Sequence, residues 1–194
     1  MARNDNTSAV VDGILRFVVT TSTVAAGLLL PNLLIALDKP LGAFSKQLDK
    51  RQRERELRRV ISYMKSSQLM TGDYEHGLQL TDKGRRRLAD HEFDAQKIKP
   101  PEKWDGRWRL VIYDIPETQR LSRRLLAGKL HELGFYQLQR SAWLHPFPCR
   151  EIIEVVAATY SVDRYVSYLE VAAIDNQKVL INRYGKKYPR TVFK

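Results

Sequence analysis

Between Trp104 and Pro148 the chain reads WDGRWRLVIYDIPETQRLSRRLLAGKLHELGFYQLQRSAWLHPFP. No other stretch limits the fold as strongly: an apolar strand ends on Asp114, a basic amphipathic helix follows and is closed by Gly134, and a second strand comes after it. An aspartate at the end of a buried strand, followed at once by Pro116 and a helix carrying Arg120, Arg123, Arg124 and Lys129, points to a phosphate backbone as partner.

The whole chain carries the same bias. Its 33 Lys and Arg against 22 Asp and Glu leave a formal net charge of +11, for which nucleic acid is the natural counter-ligand and an anionic membrane surface the second choice. A basic but otherwise ordinary soluble enzyme is the bland alternative. With 194 residues, 43% of them hydrophobic, the chain can supply a core to each of two small domains. A single cysteine, Cys149, excludes an intramolecular disulfide and a cysteine-based zinc site, in keeping with a reducing cytoplasm. His76, His91, His131 and His145 lack the close spacing of metal-binding pairs, so no structural metal is assigned.

Residues 17–36, FVVTTSTVAAGLLLPNLLIA, contain no charge and are about long enough to cross a bilayer. Thr20 to Thr23 are all hydroxyl residues, and Pro31-Asn32 breaks the run. Two readings stand: a pair of core helices meeting at Pro31, or a membrane anchor. A signal peptide is not expected, because the preceding residues lack strong positive charge and no small-x-small cleavage site follows. Thr7 to Leu30 reads as a helix capped by Thr7 or Ser8, and Asn32 to Leu37 as a second, ended by the turn Lys39-Pro40-Leu41-Gly42.

Ala43 to Ser67 is again helical in composition, with Leu48, Leu57, Val60, Ile61 and Met64 as its apolar stripe. Within it, KQLDKRQRERELRR interleaves Asp49, Glu54 and Glu56 with Lys50, Arg51, Arg53, Arg55, Arg58 and Arg59. Taken alone such a run is a solvated face held by acid-base pairs. The next segment, QLMTGDYEHGLQLTDKGRRRL, changes that reading: Leu69-Met70 and Leu78 to Leu80 flank a turn-rich tip, as in a β-hairpin, and Thr81 caps a new helix bearing Lys83, Arg85, Arg86 and Arg87. The order helix, hairpin, LTDKGRRRL helix resembles the end of a winged-helix DNA-binding domain. That resemblance implies a recognition helix carrying Arg51, Arg53, Arg55, Arg58 and Arg59, a wing carrying Tyr74 and His76, and phosphate contacts from Lys83, Arg85, Arg86 and Arg87.

A polar stretch with Pro100-Pro101 reads as a linker. Beyond it come a strand (107–115), a helix (117–133), a strand pair (135–146), a helix (151–160), a strand (165–171) and a short helix (175–183) before a basic tail. The order β-α-β-β-α-β is the ferredoxin-like plan. The expected fold is therefore α+β, with a winged-helix-like domain at 7–92, a linker at 93–103, a ferredoxin-like domain at 104–184 and a tail at 185–194.

VIYDIP and GFYQLQRSAW, separated by one basic helix, resemble the small subunit of the CRISPR adaptation complex. With WDGRWR (Trp104 to Arg109) ahead of the strand and a winged helix in front, the chain looks closer still to PaaX-type transcriptional repressors, over roughly Arg58 to Tyr184. It stops at Lys194, where that family usually continues into a further domain, a departure that counts against an acyl-CoA effector. The PaaX resemblance implies a cytoplasmic, homodimeric repressor of double-stranded DNA, its ferredoxin-like domain dimerising, with no cofactor.

Likeness to the CRISPR subunit implies another function, a magnesium- or manganese-dependent nuclease or a structural subunit of spacer integration, in which Asp114 is the catalytic residue and the metal ligand, paired across a two-fold axis. Against it stands an Asp114 that merely caps the helix after Pro116. Arg120, Arg123, Arg124, Arg140 and Ser141 are candidate phosphate contacts, with a buried serine at a β-bulge as the alternative for Ser141. Trp104, Trp108 and Trp143 read as core or dimer-interface aromatics, not stacking platforms for bases, and His145 has no visible partner for general-base work. A third reading is an interaction protein tethered to the membrane by residues 17–36, its domains in the cytoplasm.

Overall fold

The structure, a computed structural model, describes residues 2–20, 49–73 and 77–193. It divides into two compact units, Met1–Ala95 and Gln96–Lys194.

In the first unit, α1 (Ala2–Thr20) places Val11, Ile14, Leu15 and Val18 at helical spacing on one buried face. The helix starts at Ala2, so Thr7 and Ser8 lie inside it and not at its start, contrary to the expectation from sequence. Residues 21–48, with most of the uncharged stretch, the expected helix at 32–37 and Leu48, lie outside the described residues. Among the described residues no helix is long and apolar enough to cross a membrane. The next described helix, α2 (Lys50–Ser66), begins at a capping box: Gln52 N–H donates to the Asp49 carboxylate at 2.8 Å, and Asp49 N–H donates to Gln52 Oε1 at 3.0 Å. Leu57, Val60, Ile61 and Met64 bury its apolar stripe against α1.

The hairpin β1 (Met70–Asp73) and β2 (Gly77–Leu80) follows, pairing Met70 with Leu80 and Asp73 with Gly77. Thr81 then caps α3 (Asp82–Asp94): its Oγ1 accepts from Gly84 N–H at 3.1 Å and donates to the Gln68 carbonyl at 2.6 Å. Gly84 of the LTDKGRRRL motif has a steric reason to be glycine, because a Cβ there would stand 2.0 Å from the Leu69 carbonyl oxygen. That same carbonyl accepts from Thr81 N–H at 3.2 Å, so the first turn of α3 lies directly on the chain entering the hairpin. Ala95 ends α3, two residues beyond the start of the expected linker, and Ile98 in the following stretch is buried.

The second unit is built on a four-stranded antiparallel sheet in the order β4-β5-β3-β6. Its strands are β3 (Trp108–Tyr113), β4 (Tyr136–Gln139), β5 (Ala142–His145) and β6 (Val166–Val171). Helix α4 (Arg120–Glu132) joins β3 to β4 and α5 (Arg150–Thr159) joins β5 to β6, so the chain is α+β and the sheet has ferredoxin-like topology. Central β3 pairs Val111 with Trp143 on one side and Leu110 with Leu169 on the other. Gly134, at φ +91°, supplies the left-handed residue that ends α4. Helix α6 (Gln177–Lys187) runs a turn beyond the helix expected from sequence, because Tyr184 is a core residue: its hydroxyl donates to the Leu144 carbonyl at 2.7 Å. The basic tail is also tied in. Thr191 Oγ1 donates to the Pro101 carbonyl at 2.7 Å, Trp104 N–H donates to the Val192 carbonyl at 3.0 Å, and the Phe193 ring lies 5.6 Å from that of Trp104.

Gly84→Ala is expected to destabilise the first unit by about 1–3 kcal/mol, the usual range for overpacking a tight contact. Urea unfolding followed by circular dichroism checks this; an unchanged midpoint would mean that the Leu69 contact is not tight.

Candidate nucleic-acid interface

Helical phase decides what the basic run can do. With Leu57, Val60, Ile61 and Met64 turned inward, Arg51, Arg55, Arg58 and Arg59 of α2 are exposed, and Arg51, Arg55 and Arg59 follow one another at four-residue spacing along one stripe. Arg59 is bonded to Glu56 at 2.9 Å, yet its side chain stays 69% exposed and its remaining donors face solvent. Arg53 is half-buried, on the flank nearer the core. Tyr74 and His76 lie outside the described residues.

The basic residues of α3 divide into two kinds. Lys83 Nζ donates to the Ser67 carbonyl at 2.9 Å, and Arg85 reaches the Leu80 carbonyl at 2.8 Å and the Asp82 carboxylate at 2.7 Å. That contact with Arg85 holds the Asp82 carboxyl below its ordinary pKa. These bonds tie α3 to the hairpin, while Arg86 is exposed. Arg87 turns the other way: its Nε lies 3.4 Å from the carboxylate of Asp12, a buried residue of α1 that also sits 3.2 Å from His91 Nε2. A charge removed from water must be paired, and Arg87 supplies the opposite charge here, with His91 beside it. This cluster leaves no mark in the sequence, since Asp12 lies 75 positions before Arg87.

In the second unit Asp114 is exposed just past the end of β3, where its N–H donates to the Tyr165 carbonyl at 3.1 Å. Its carboxylate caps no helix: the short 3-10 turn Glu117–Gln119 starts after Pro116, and neither that turn nor α4 has a side-chain cap. The turn between β4 and β5 meets the same end of the sheet, because Tyr113 N–H donates to the Ser141 carbonyl and Tyr113 Oη to the Arg140 carbonyl, both at 3.1 Å. Ser141 is exposed on that turn, and the bulge in the hairpin falls between Gln137 and Gln139.

Asp114, Arg120, Arg123, Arg140 and Ser141 are thus gathered at one end of the sheet. Glu117 sits among the cations, 2.6 Å from Arg123 and 4.0 Å from Arg120, and its pKa is lowered by Arg123 first, with Arg120 and Arg140 adding to the effect. Arg124 is exposed one turn along α4, whereas Lys129 is buried, with Glu132 at 3.6 Å. Among the described residues no three metal-ligating side chains come together. One carboxylate supplies too few oxygens for a divalent cation, so a single chain offers no fit for magnesium or manganese at Asp114.

WDGRWR forms a knot beside the sheet. The buried Arg109 guanidinium is clamped by both carboxylate oxygens of Asp105, and its pKa is raised chiefly by that bond. Arg109 and the Trp104 indole N–H both donate to the Pro146 carbonyl, at 3.1 and 2.9 Å. Trp104, Trp108 and Trp143 are all buried, which leaves no ring face for a base to stack on. His145, also buried, accepts from Phe147 N–H through Nδ1 at 3.1 Å, and burial pulls its pKa down to about 3. Burial pushes the Cys149 thiol up to about 12. Neither group is placed for acid-base or nucleophilic work near pH 7.

The chain thus carries a ferredoxin-like sheet with an exposed aspartate and a cluster of cations at one end, preceded in sequence by a helix, hairpin and helix with outward arginines. Residues 101–180 match the family model of the PaaX protein central Cas2-like domain. No curated protein matches the chain. The matched residues fall wholly within the second unit.

Stability should depend on His145 in acid. The unfolded imidazole takes up a proton near pH 6.5, while the folded one does so only near about 3. Protonation in that interval therefore favours unfolding, so the contribution is complete above pH 6.5 and is lost as the pH falls. The unfolding free energy from urea titrations between pH 7 and 4 should decline by up to about 1.4 kcal/mol per pH unit from this one proton. His145→Asn, which keeps an acceptor for Phe147 N–H, should show a shallower decline; an equally steep one would remove His145 from this account.

Proposed function

We propose that this chain, whose second unit matches the PaaX central domain, is a PaaX-type, homodimeric DNA-binding transcriptional repressor, with α2 as the helix presented to the major groove and promoter occupancy as the means of repression. The observation that carries the reading is the exposed stripe Arg51, Arg55 and Arg59, with Arg58 beside it, on the helix that precedes the hairpin. Arginines on one helix face match the repeat of phosphates and can reach guanine edges in the groove. Arg86, with whatever Lys83 and Arg85 leave unbonded, adds phosphate contacts from α3. In the second unit, Arg120, Arg124 and Arg140 at the Asp114 end supply further cations.

Pairing of two chains is supported by the open side of the sheet. Trp108, Leu110 and Ile112 share a face of β3, and exposure rises along it from 0% at Trp108 to 38% at Ile112. Leu169, on the same face of β6, is 40% exposed. Two copies that cover this apolar area would present two α2 helices to a two-fold symmetric site.

Fluorescence anisotropy with labelled duplex DNA tests the proposal. Affinity should fall steeply with salt, because each neutralised phosphate releases counterions. Arg55→Gln with Arg59→Gln should reduce the slope of log K against log salt by about 2, roughly one for each lost phosphate contact. A binding constant indifferent to salt, or an unchanged slope in the double variant, would falsify the assignment of α2.

A further inference from the structure

A cleft of about 680 Å³ opens in the second unit between the end of α4, the start of β4 and one face of α6. Its volume falls within the range of sites for small organic ligands, about 300–1,000 Å³. One wall is aromatic, with the half-buried ring of Tyr136 and the exposed amide of Gln137 next to it. Arg183, Lys186 and Lys187 of α6 give the cleft a cationic side, with Arg183 lying against the Tyr136 ring, and His131 stands at the end of α4.

No acidic side chain lines the cleft, and among the described residues none of the three α6 cations is ion-paired. Elsewhere in this unit Arg109, Arg123 and Lys129 each have a carboxylate within reach. Three like charges gathered on two turns of one helix repel each other, and an anion would relieve them. Consistently, burial and the neighbouring Arg183 lower the pKa of Lys187. The Arg183 guanidinium lies over the Tyr136 ring, 4.8 Å from its centroid, which fixes its plane while its edge stays free to donate to oxygen.

We propose that this cleft binds a nucleoside phosphate. Arg183, Lys186 and Lys187 hold the phosphate, and the base lies toward the Tyr136 wall with the Gln137 amide at its edge. A phosphate ion alone would fill only a small part of the space and leave the apolar wall wet. A free nucleotide and the terminal nucleotide of a nucleic-acid strand offer the same chemistry. The site uses none of the residues assigned to duplex DNA, so the two proposals stand or fall separately.

Calorimetric titration of the full 194-residue chain with ATP, a 5′-phosphorylated oligothymidylate and inorganic phosphate is the test. One saturable site per chain is expected, with ATP or the oligonucleotide binding at least roughly tenfold more tightly than phosphate, and the tighter of those two names the source. Arg183→Gln with Lys187→Gln, both at exposed positions, should weaken binding by roughly tenfold or more, as expected when charge-assisted bonds are lost. The Arg55→Gln and Arg59→Gln variant should bind as the parent does, and matched thermal melts confirm that each variant is folded. Absence of saturable binding, equal affinity for inorganic phosphate, an undiminished affinity in the α6 variant, or loss in the α2 variant would each overturn the proposal.

Discussion

Burying the guanidinium of Arg109 is the constraint around which the second unit is arranged. A cation that has left water needs a carboxylate and good acceptors, and Asp105 together with the Pro146 carbonyl supplies them. To bring Asp105 within reach the chain turns at Gly106, and that turn carries Trp104 onto Trp108, with ring centroids 4.8 Å apart. Phe193 then closes over Trp104 from the far end of the chain. The knot joins the entry to β3, the exit from β5 and the C-terminal residues, and so fixes the sheet whose other end presents Asp114.

Arginine serves two opposite purposes in this protein. Arg87 and Arg109 are turned toward the protein, Arg87 against the buried carboxylate of Asp12 and Arg109, itself buried, against the exposed one of Asp105, and both give up access to a ligand. Arg51, Arg55, Arg58 and Arg59 are turned outward, where water screens them until a polyanion displaces their counterions. The choice follows from helical phase in α2 and from the position of Asp12 opposite α3. A net charge of +11 does not distinguish the two uses, and only part of it is available for binding.

Much of the second unit could be read from its sequence, because its elements are short, strongly patterned and punctuated. Pro116, Gly134 and the alternation in VIYDIP place the turns and β3 to within a residue or two. The match of residues 101–180 to the PaaX central domain agrees with what WDGRWR and VIYDIP imply. Less legible were the end of α6 and the last residues, where a basic composition suggested a loose tail. Tyr184, Tyr188 and Phe193 instead pack among the aromatic rings of the core, and such contacts leave no periodic signal over so short a stretch. The cleft between Tyr136 and α6 was invisible for the same reason, since its two walls are more than forty residues apart in sequence.

By itself the sequence determined the α+β order, the hairpin, the Thr81 cap and the placement of basic residues along the chain, because these depend on neighbours within a few positions. Tertiary structure alone decided which arginines face water, that Asp114 caps nothing, that the three tryptophans are enclosed, and that cations of α6 border an aromatic cleft. Burial and electrostatic pairing act between groups remote in sequence, and their outcome is set only when the elements pack.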